Sequence, residues 1–129
     1  MAIRIMGTGS FLPEKNVSNN DLAQYVDTSD EWISSRTGIK NRRIAVEETT
    51  TGMAAEAAKK ALEMAEKAAE DVELIVLATV TPDYYTPSAA CQVQAILGAD
   101  KAIAFDVNAA CSGFVSVSYT HLRAHETPE

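Results

Sequence analysis

Leu74-Ile75-Val76-Leu77-Ala78 is a continuous apolar run with no polar side chain breaking it. A strand that faces water on one side alternates apolar and polar residues, whereas a strand covered by helices on both faces does not. The run is therefore expected to be a strand buried on both faces of a parallel sheet. Toward the C-terminus, Pro82 to Pro87 reads as a loop. Pro87 opens a helix through Leu97 that Gly98 stops, and Ala102 to Val107 is a second buried strand. Strand, helix and strand in this order make a crossover unit, right-handed by the usual rule. Toward the N-terminus, Thr49 to Thr51 cap a long helix expected to reach about Ala69, with Ala54, Ala58, Ala61, Ala65 and Ala68 spaced three and four apart. Such a small-sided seam lets a helix lie close to a sheet. Glu56, Lys59, Lys60, Glu63, Glu66, Lys67 and Glu70 fall mostly on the solvent side. The expected fold class is a layered α/β domain.

The N-terminal third adds a strand over Ala2 to Met6, ended by Gly7-Thr8-Gly9. The glycine pair invites a dinucleotide-binding reading. That reading fails because Leu12 stands where a third glycine belongs and Pro13 where a helix should already be running. Ser18 with Asp21 caps a short helix carrying Leu22, Tyr25 and Val26 and ending near Asp27. Thr28 or Ser29 caps another, with Asp30 and Glu31 in its first turn, Trp32, Ile33 and Arg36 along it, and Gly38 at its end. Ile39 to Val46 follows as a basic, partly extended segment holding Lys40, Arg42 and Arg43.

The chain has 129 residues, 47% hydrophobic and 22% charged, the composition of one soluble globular domain. It holds no apolar run of the roughly 18 residues a membrane-spanning helix needs. Residues 1–12 lack the features of a signal peptide, so no membrane association and a cytoplasmic setting are expected. A net charge of -7 disfavours nucleic acid as a partner. Cys91 and Cys111 are too far apart for a zinc-ligand pair, and neither a metal nor a tightly bound cofactor is expected. Both histidines, His121 and His125, lie in residues 118–129, a stretch that resembles translated adapter or vector sequence. The expected organisation is a domain over 1–117 and a non-native tail over 118–129.

Val107-Asn108-Ala109-Ala110-Cys111-Ser112-Gly113-Phe114 sets a cysteine directly after a buried strand and at the start of an apolar helix. Backbone N–H groups and the helix dipole at such a turn stabilise a thiolate, which makes the sulfur a usable nucleophile. Ala109, Ala110 and Gly113 leave its approach uncrowded. An inert buried cysteine fits the same spacing. Cys91, inside an apolar helix, reads as core packing.

Ile5 to Pro13, Thr28-Ser29-Asp30-Glu31-Trp32-Ile33, Arg36-Thr37-Gly38-Ile39, Pro87-Ser88-Ala89-Ala90-Cys91-Gln92 and Phe105 to Phe114 together resemble the N-terminal part of β-ketoacyl-acyl-carrier-protein synthase III. The motifs are long, ordered and cover nearly all of 1–117. The resemblance implies the thiolase-like layered α/β fold, of which this chain would be the N-terminal half only. It also implies a homodimer and condensation of an acyl-CoA primer with malonyl-acyl-carrier protein to start fatty-acid synthesis, with CoA thioester as substrate rather than cofactor. Matched residue by residue, Cys111 is the nucleophile that takes the acyl group. Trp32 and Arg36 hold the CoA adenine, Thr28 lies at a cofactor-binding position, and Thr86 lies near the dimer interface, closing the partner's acyl pocket. Arg36, Lys40, Arg42 and Arg43 make a cluster suited to CoA phosphates or to an acidic carrier protein.

The departure from the family is length. The histidine and asparagine that join the family's cysteine come from its C-terminal half, and the two tail histidines do not stand in that motif. A truncated synthase is expected. Its alternatives are a related condensing enzyme of the polyketide or hydroxymethylglutaryl-CoA synthase type, or a non-catalytic module that binds CoA or a partner.

Overall fold

A computed structural model describes residues 4–124, with side chains described through 119. The chain divides into two compact units, Leu12–Glu48 and the residues on either side of it.

Within Leu12–Glu48, β1 (Asn16–Ser18) pairs antiparallel with β2 (Asn41–Arg43), Val17 facing Arg42. Helix α1 (Asn19–Leu22) starts in a capping box. The Ser18 hydroxyl accepts the Asp21 N–H at 3.1 Å, and the Asp21 carboxylate accepts the Ser18 N–H at 2.8 Å. The helix stops at Leu22 and not near Asp27, and Tyr25 and Val26 are exposed. A one-turn helix persists only through packing, and these two side chains pack against nothing that would extend it. Helix α2 (Asp30–Thr37) runs between the expected bounds: Ser29 Oγ accepts the Trp32 N–H, and Gly38 takes the left-handed φ of 71° that ends it. The buried residues of this unit are Pro13, Asn19 and Ile33.

In the other unit, Thr49 caps α3 (Thr50–Ala65). The helix ends four residues before the expected Ala69, because Glu66 turns left-handed (φ 53°) and its N–H closes on the Leu62 and Glu63 carbonyls. Its buried positions are Thr51 and Ala55, so the tightest part of the seam is rotated from the expected Ala54 and Ala58. Ala57, Ala61 and Ala65 instead meet Gly7 and Gly9. A Cβ on Gly9 would lie 2.0 Å from the Ala57 carbonyl oxygen, and one on Gly7 2.3 Å from that of Ala61. The glycine pair is thus a packing device, which lets one backbone lie on another. The Lys60 ammonium donates to the Ser10 carbonyl at 2.9 Å on the same side. Arg4 to Met6 are irregular and Ile5 is exposed, so the described part of the expected N-terminal strand is not one; Ala2 and Ile3 lie outside the described residues. A strand exists by pairing, and these residues lie along α3 without a strand partner.

Beyond a 3-10 turn at Ala69–Asp71, β3 (Leu74–Ala78) pairs in parallel with β4 (Ile103–Val107), in register from Leu74 opposite Ile103 to Ala78 opposite Val107. Helix α4 (Ala89–Leu97) connects them, burying Ala89, Ala90 and Val93, and α5 (Gly113–Ala124) follows β4. The parallel pairing is as expected. Burial is not: Leu74 to Leu77 are half-buried and Ala78 is exposed. One face of the pair is covered by α4, while Ile103 and Phe105 on the alternate positions of β4 stay open to solvent. Cys91 is a second correction. It is exposed, at the edge of the Ala89-Ala90-Val93 stripe, with its thiol turned to β4 and donating to the Ala104 carbonyl at 3.6 Å. Helix α5 passes position 118 without a break, across the expected boundary of the domain. Among the described residues no helix is long and apolar enough to cross a membrane.

Candidate functional site

Cys111 sits in the middle of a 3-10 turn, Ala110–Ser112, between the carboxyl end of β4 and the first residue of α5. It is exposed, not buried. Three features fix the turn. The Thr79 N–H donates to the Val107 carbonyl at 3.1 Å, carrying the sheet ladder one step past the strand. The Ser112 N–H closes on the Ala109 carbonyl at 2.9 Å. Gly113 lies so near the end of β3 that a Cβ there would be 3.0 Å from that of Ala78. Within the turn Ala110 has a φ of 44°, a left-handed conformation that costs a non-glycine residue roughly 1–2 kcal/mol. The backbone is bent against local preference to present the residue that follows.

The strand that leads into this turn carries one charged residue, Asp106. Its carboxylate accepts the N–H groups of Ala89 at 2.8 Å and Ala90 at 2.7 Å, one to each oxygen, while Ser88 Oγ accepts that of Cys91 at 3.3 Å. All three orphan donors of the first turn of α4 are met. The same clamp occurs once more in this unit. Asp83 accepts Thr50 and Thr51 N–H at 2.8 Å each, and Thr49 Oγ1 takes Gly52 N–H at 3.0 Å. Burial pushes the Asp83 carboxyl up, but hydrogen bonds from Thr51 and Thr50 outweigh it and leave the group below its ordinary range. Neither aspartate was foreseen as functional. The available signal was a lone carboxylate in the otherwise apolar run Ala102 to Val107. Thr86, expected at an acyl pocket, is exposed on the loop just before α4.

The other expected residues lie in Leu12–Glu48. On α2 the Arg36 guanidinium stands 4.5 Å from the centroid of the Trp32 ring, and the ring is 53% exposed. The fourfold spacing within the helix brings them together. Trp32 is therefore not the core anchor of its helix; Ile33 is. The Thr28 hydroxyl oxygen, two residues before α2, is buried and has no hydrogen-bond partner among the described residues. A buried unpaired hydroxyl is costly.

The basic cluster also has partners within its own unit. Arg42 donates to the Val17 carbonyl at 3.2 Å and to Asn19 Oδ1, and Arg43 donates to the Pro13 and Glu14 carbonyls at 3.0 Å each. Lys40 lies 3.9 Å from Asp30. The two arginines tie the unit together, because a guanidinium's fork of donors satisfies loop carbonyls that no ladder reaches, while the exposed Lys40 pair adds little. Among the described residues no three His, Cys, Asp or Glu side chains gather as a metal site. At His121 only the helical backbone is described, and His125 lies outside the described residues.

No protein-family model matches the chain. Its sequence is 63% identical over 113 residues to β-ketoacyl-[acyl-carrier-protein] synthase III of Xylella fastidiosa (strain Temecula1), covering 87% of this chain and 35% of that protein. It is 54% identical over 114 residues to the enzyme of the same name from Clostridium acetobutylicum, covering 88% and 35%. Among solved structures, the 3-oxoacyl-[acyl-carrier-protein] synthase III of Aquifex aeolicus VF5 superposes with a TM-score of 0.88 at 52% identity, over 94% of this chain and 40% of that one. The priming β-ketosynthase of the R1128 polyketide pathway follows at 0.87 and 39% identity, over 91% and 35%. The chain thus spans about a third of the length of the curated relatives it matches. The layered fold is thiolase-like, as in these condensing enzymes.

Proposed function

We propose that this chain, which belongs with the β-ketoacyl-[acyl-carrier-protein] synthase III family in sequence and fold over the span it covers, is the acyl-accepting part of such an enzyme. The observation that carries this reading is the exposed Cys111, presented by a strained turn between β4 and α5. In the proposed step the Cys111 thiolate attacks the thioester carbonyl of an acyl-CoA. A new S–C bond forms as the bond to the CoA sulfur breaks, and CoA leaves as a thiolate that takes up the proton the cysteine gave up. The condensation that follows would join this acyl group to malonyl-acyl-carrier protein with loss of carbon dioxide, in a cytoplasmic homodimer. The histidine and asparagine that would polarise the malonyl thioester are not within the span described. Donors of this kind contribute a factor of about 100 to 1,000 each to the condensation, and the acylation step needs neither.

Trp32, Arg36 and Thr28 are read as the adenine site of CoA, supported by the exposed ring under its guanidinium and by the place of Thr28 two residues before the same helix. Thr86 is read as a wall of the partner subunit's acyl pocket. A threonine there leaves room for longer or branched primers, each buried methylene contributing about 0.8 kcal/mol. A polyketide-priming role draws support from the R1128 relative, but the identity of 39% there against 54–63% to the fatty-acid enzymes favours the latter.

The test is incubation of the chain with acetyl-CoA, followed by intact mass and peptide mapping. One acyl thioester on Cys111, absent in Cys111→Ala, is the expected result. Acylation at Cys91, or a Cys111→Ala chain that acylates as well, overturns the reading.

A further inference from the structure

Two carboxylates clamp helix starts in the same way, but what each is attached to differs. Asp83 belongs to the loop after β3 and clamps the start of α3, an element whose backbone does not run into the turn that bears Cys111. Asp106 is part of β4 itself, and the next turn along its own backbone is the one that bears Cys111. Its two acceptor bonds, at 2.8 and 2.7 Å, go to Ala89 and Ala90, directly behind the loop with Thr86. The opposite strand contributes little restraint from its own far edge, since β3 pairs only with β4 among the described residues. From this arrangement we infer that Asp106 is a positioning residue: its carboxylate locks the strand end that presents Cys111 to the start of α4, so that nucleophile and Thr86 loop are held as one body. The inference rests on the proposed role of Cys111 as the acyl acceptor.

The bond count explains why an aspartate is needed. A carboxylate offers two acceptor oxygens to two N–H donors, whereas an asparagine offers one oxygen and turns an NH2 donor toward the other N–H. Asp106→Asn therefore breaks one arm and sets two donors face to face, with almost no change in shape. Asp83→Asn does the same to α3, and it is the control for loss of a clamp as such.

The measurement is the ratio of iodoacetamide alkylation rates at Cys111 and Cys91 in the native 129-residue chain, with circular dichroism read on every variant. Both thiols are exposed, so access alone does not separate them. The wild-type ratio is expected to favour Cys111, on the presented turn, by about tenfold over Cys91, whose thiol is engaged by the Ala104 carbonyl. Asp106→Asn is expected to bring the ratio to within about twofold of unity, while Asp83→Asn lowers stability and leaves it unchanged. A folded Asp106→Asn with the wild-type ratio overturns the inference, as does an equal fall in Asp83→Asn. Should Asp106→Asn fail to fold, Asp106→Glu decides. It keeps both oxygens on a longer tether, and its ratio is expected between the other two; an unchanged ratio overturns the inference. A wild type with no preference for Cys111 overturns the functional reading instead, which keeps the two failures apart.

Discussion

The two units are held by opposite means. Leu12–Glu48 is a polar clasp. Its most buried side chain is Asn19, 1% exposed, which donates to Asp30 at 2.7 Å, to Ser34 at 3.3 Å and to the Ile39 carbonyl at 2.7 Å, and accepts from Arg42. The unit around β3 and β4 is held by small residues, with Ala55, Ala89, Ala90 and Ala99 at its most buried positions and glycine laid on α3, while Ile103, Phe114 and Val115 remain open. A short segment without enough apolar surface for a core can still be specified by one fully satisfied polar network. A sheet unit built on close backbone approach depends on the absence of atoms, and it leaves apolar area for something else to cover.

The contrast predicts different weak points. The largest effect is expected of Gly9→Ala, whose Cβ would meet the Ala57 oxygen at 2.0 Å and the Ala61 nitrogen at 2.6 Å, backbone atoms that cannot swing away. A loss of at least about 3 kcal/mol in denaturant unfolding is expected, with amide exchange protection falling first along α3. A loss below about 1 kcal/mol would mean that the segment does not lie on the helix as described.

Asn19→Ala should come next, at about 2–3 kcal/mol, since it leaves the Ile39 carbonyl and the Arg42 guanidinium short of partners inside the clasp. Protection should be lost first over 12–48. If the amides of α3 open instead, the division into a polar and a small-residue unit is wrong.

These two substitutions also mark what the sequence tells and what it hides. Helix starts were legible at Ser18, Ser29 and Thr49, and the stop at Gly38, because a cap is made by residues adjacent in the chain. The parallel strands at 74–78 and 103–107 were legible from unbroken apolar runs. What depended on distant partners was not. Glu66 ends α3 with no glycine to announce it, Arg42 and Arg43 donate to carbonyls some 25 to 30 positions away in sequence, and Cys91 stays exposed at the edge of the stripe that α4 buries. At the candidate site, Cys111 and the Trp32–Arg36 pair stood out as residues. The clamp of Asp106 did not, because it joins a strand to a helix start 16 positions upstream.

The smallest expected effect is a pH dependence that sharpens the reading of the clasp. Hydrogen bonds from Asn19, then from Ser34, with a contribution from Lys40, hold the Asp30 carboxyl below its ordinary 3.8. A folded-state value below the unfolded one stabilises the fold above 3.8, and that contribution is lost as pH falls through the folded value. Stability measured from pH 7 downward should hold and then decline below about 4, and Asp30→Asn should flatten that decline. An Asn19→Ala chain with the wild-type acid profile would show that Asn19 is not what depresses Asp30.

Ala110 gives the site an order in time. A residue with a φ of 44° and no glycine freedom does not choose that conformation by itself; neighbours must impose it. The neighbours are the ladder bond from Thr79 to Val107 and the contact of Gly113 with the end of β3, and both need β3 and β4 already paired. The segment around Cys111 therefore sets late in folding, after the strands have met, and is the first to relax when they part. Until that moment the chain contains a cysteine but not the turn that presents it, so the candidate site is assembled last, by the same contacts that complete the sheet.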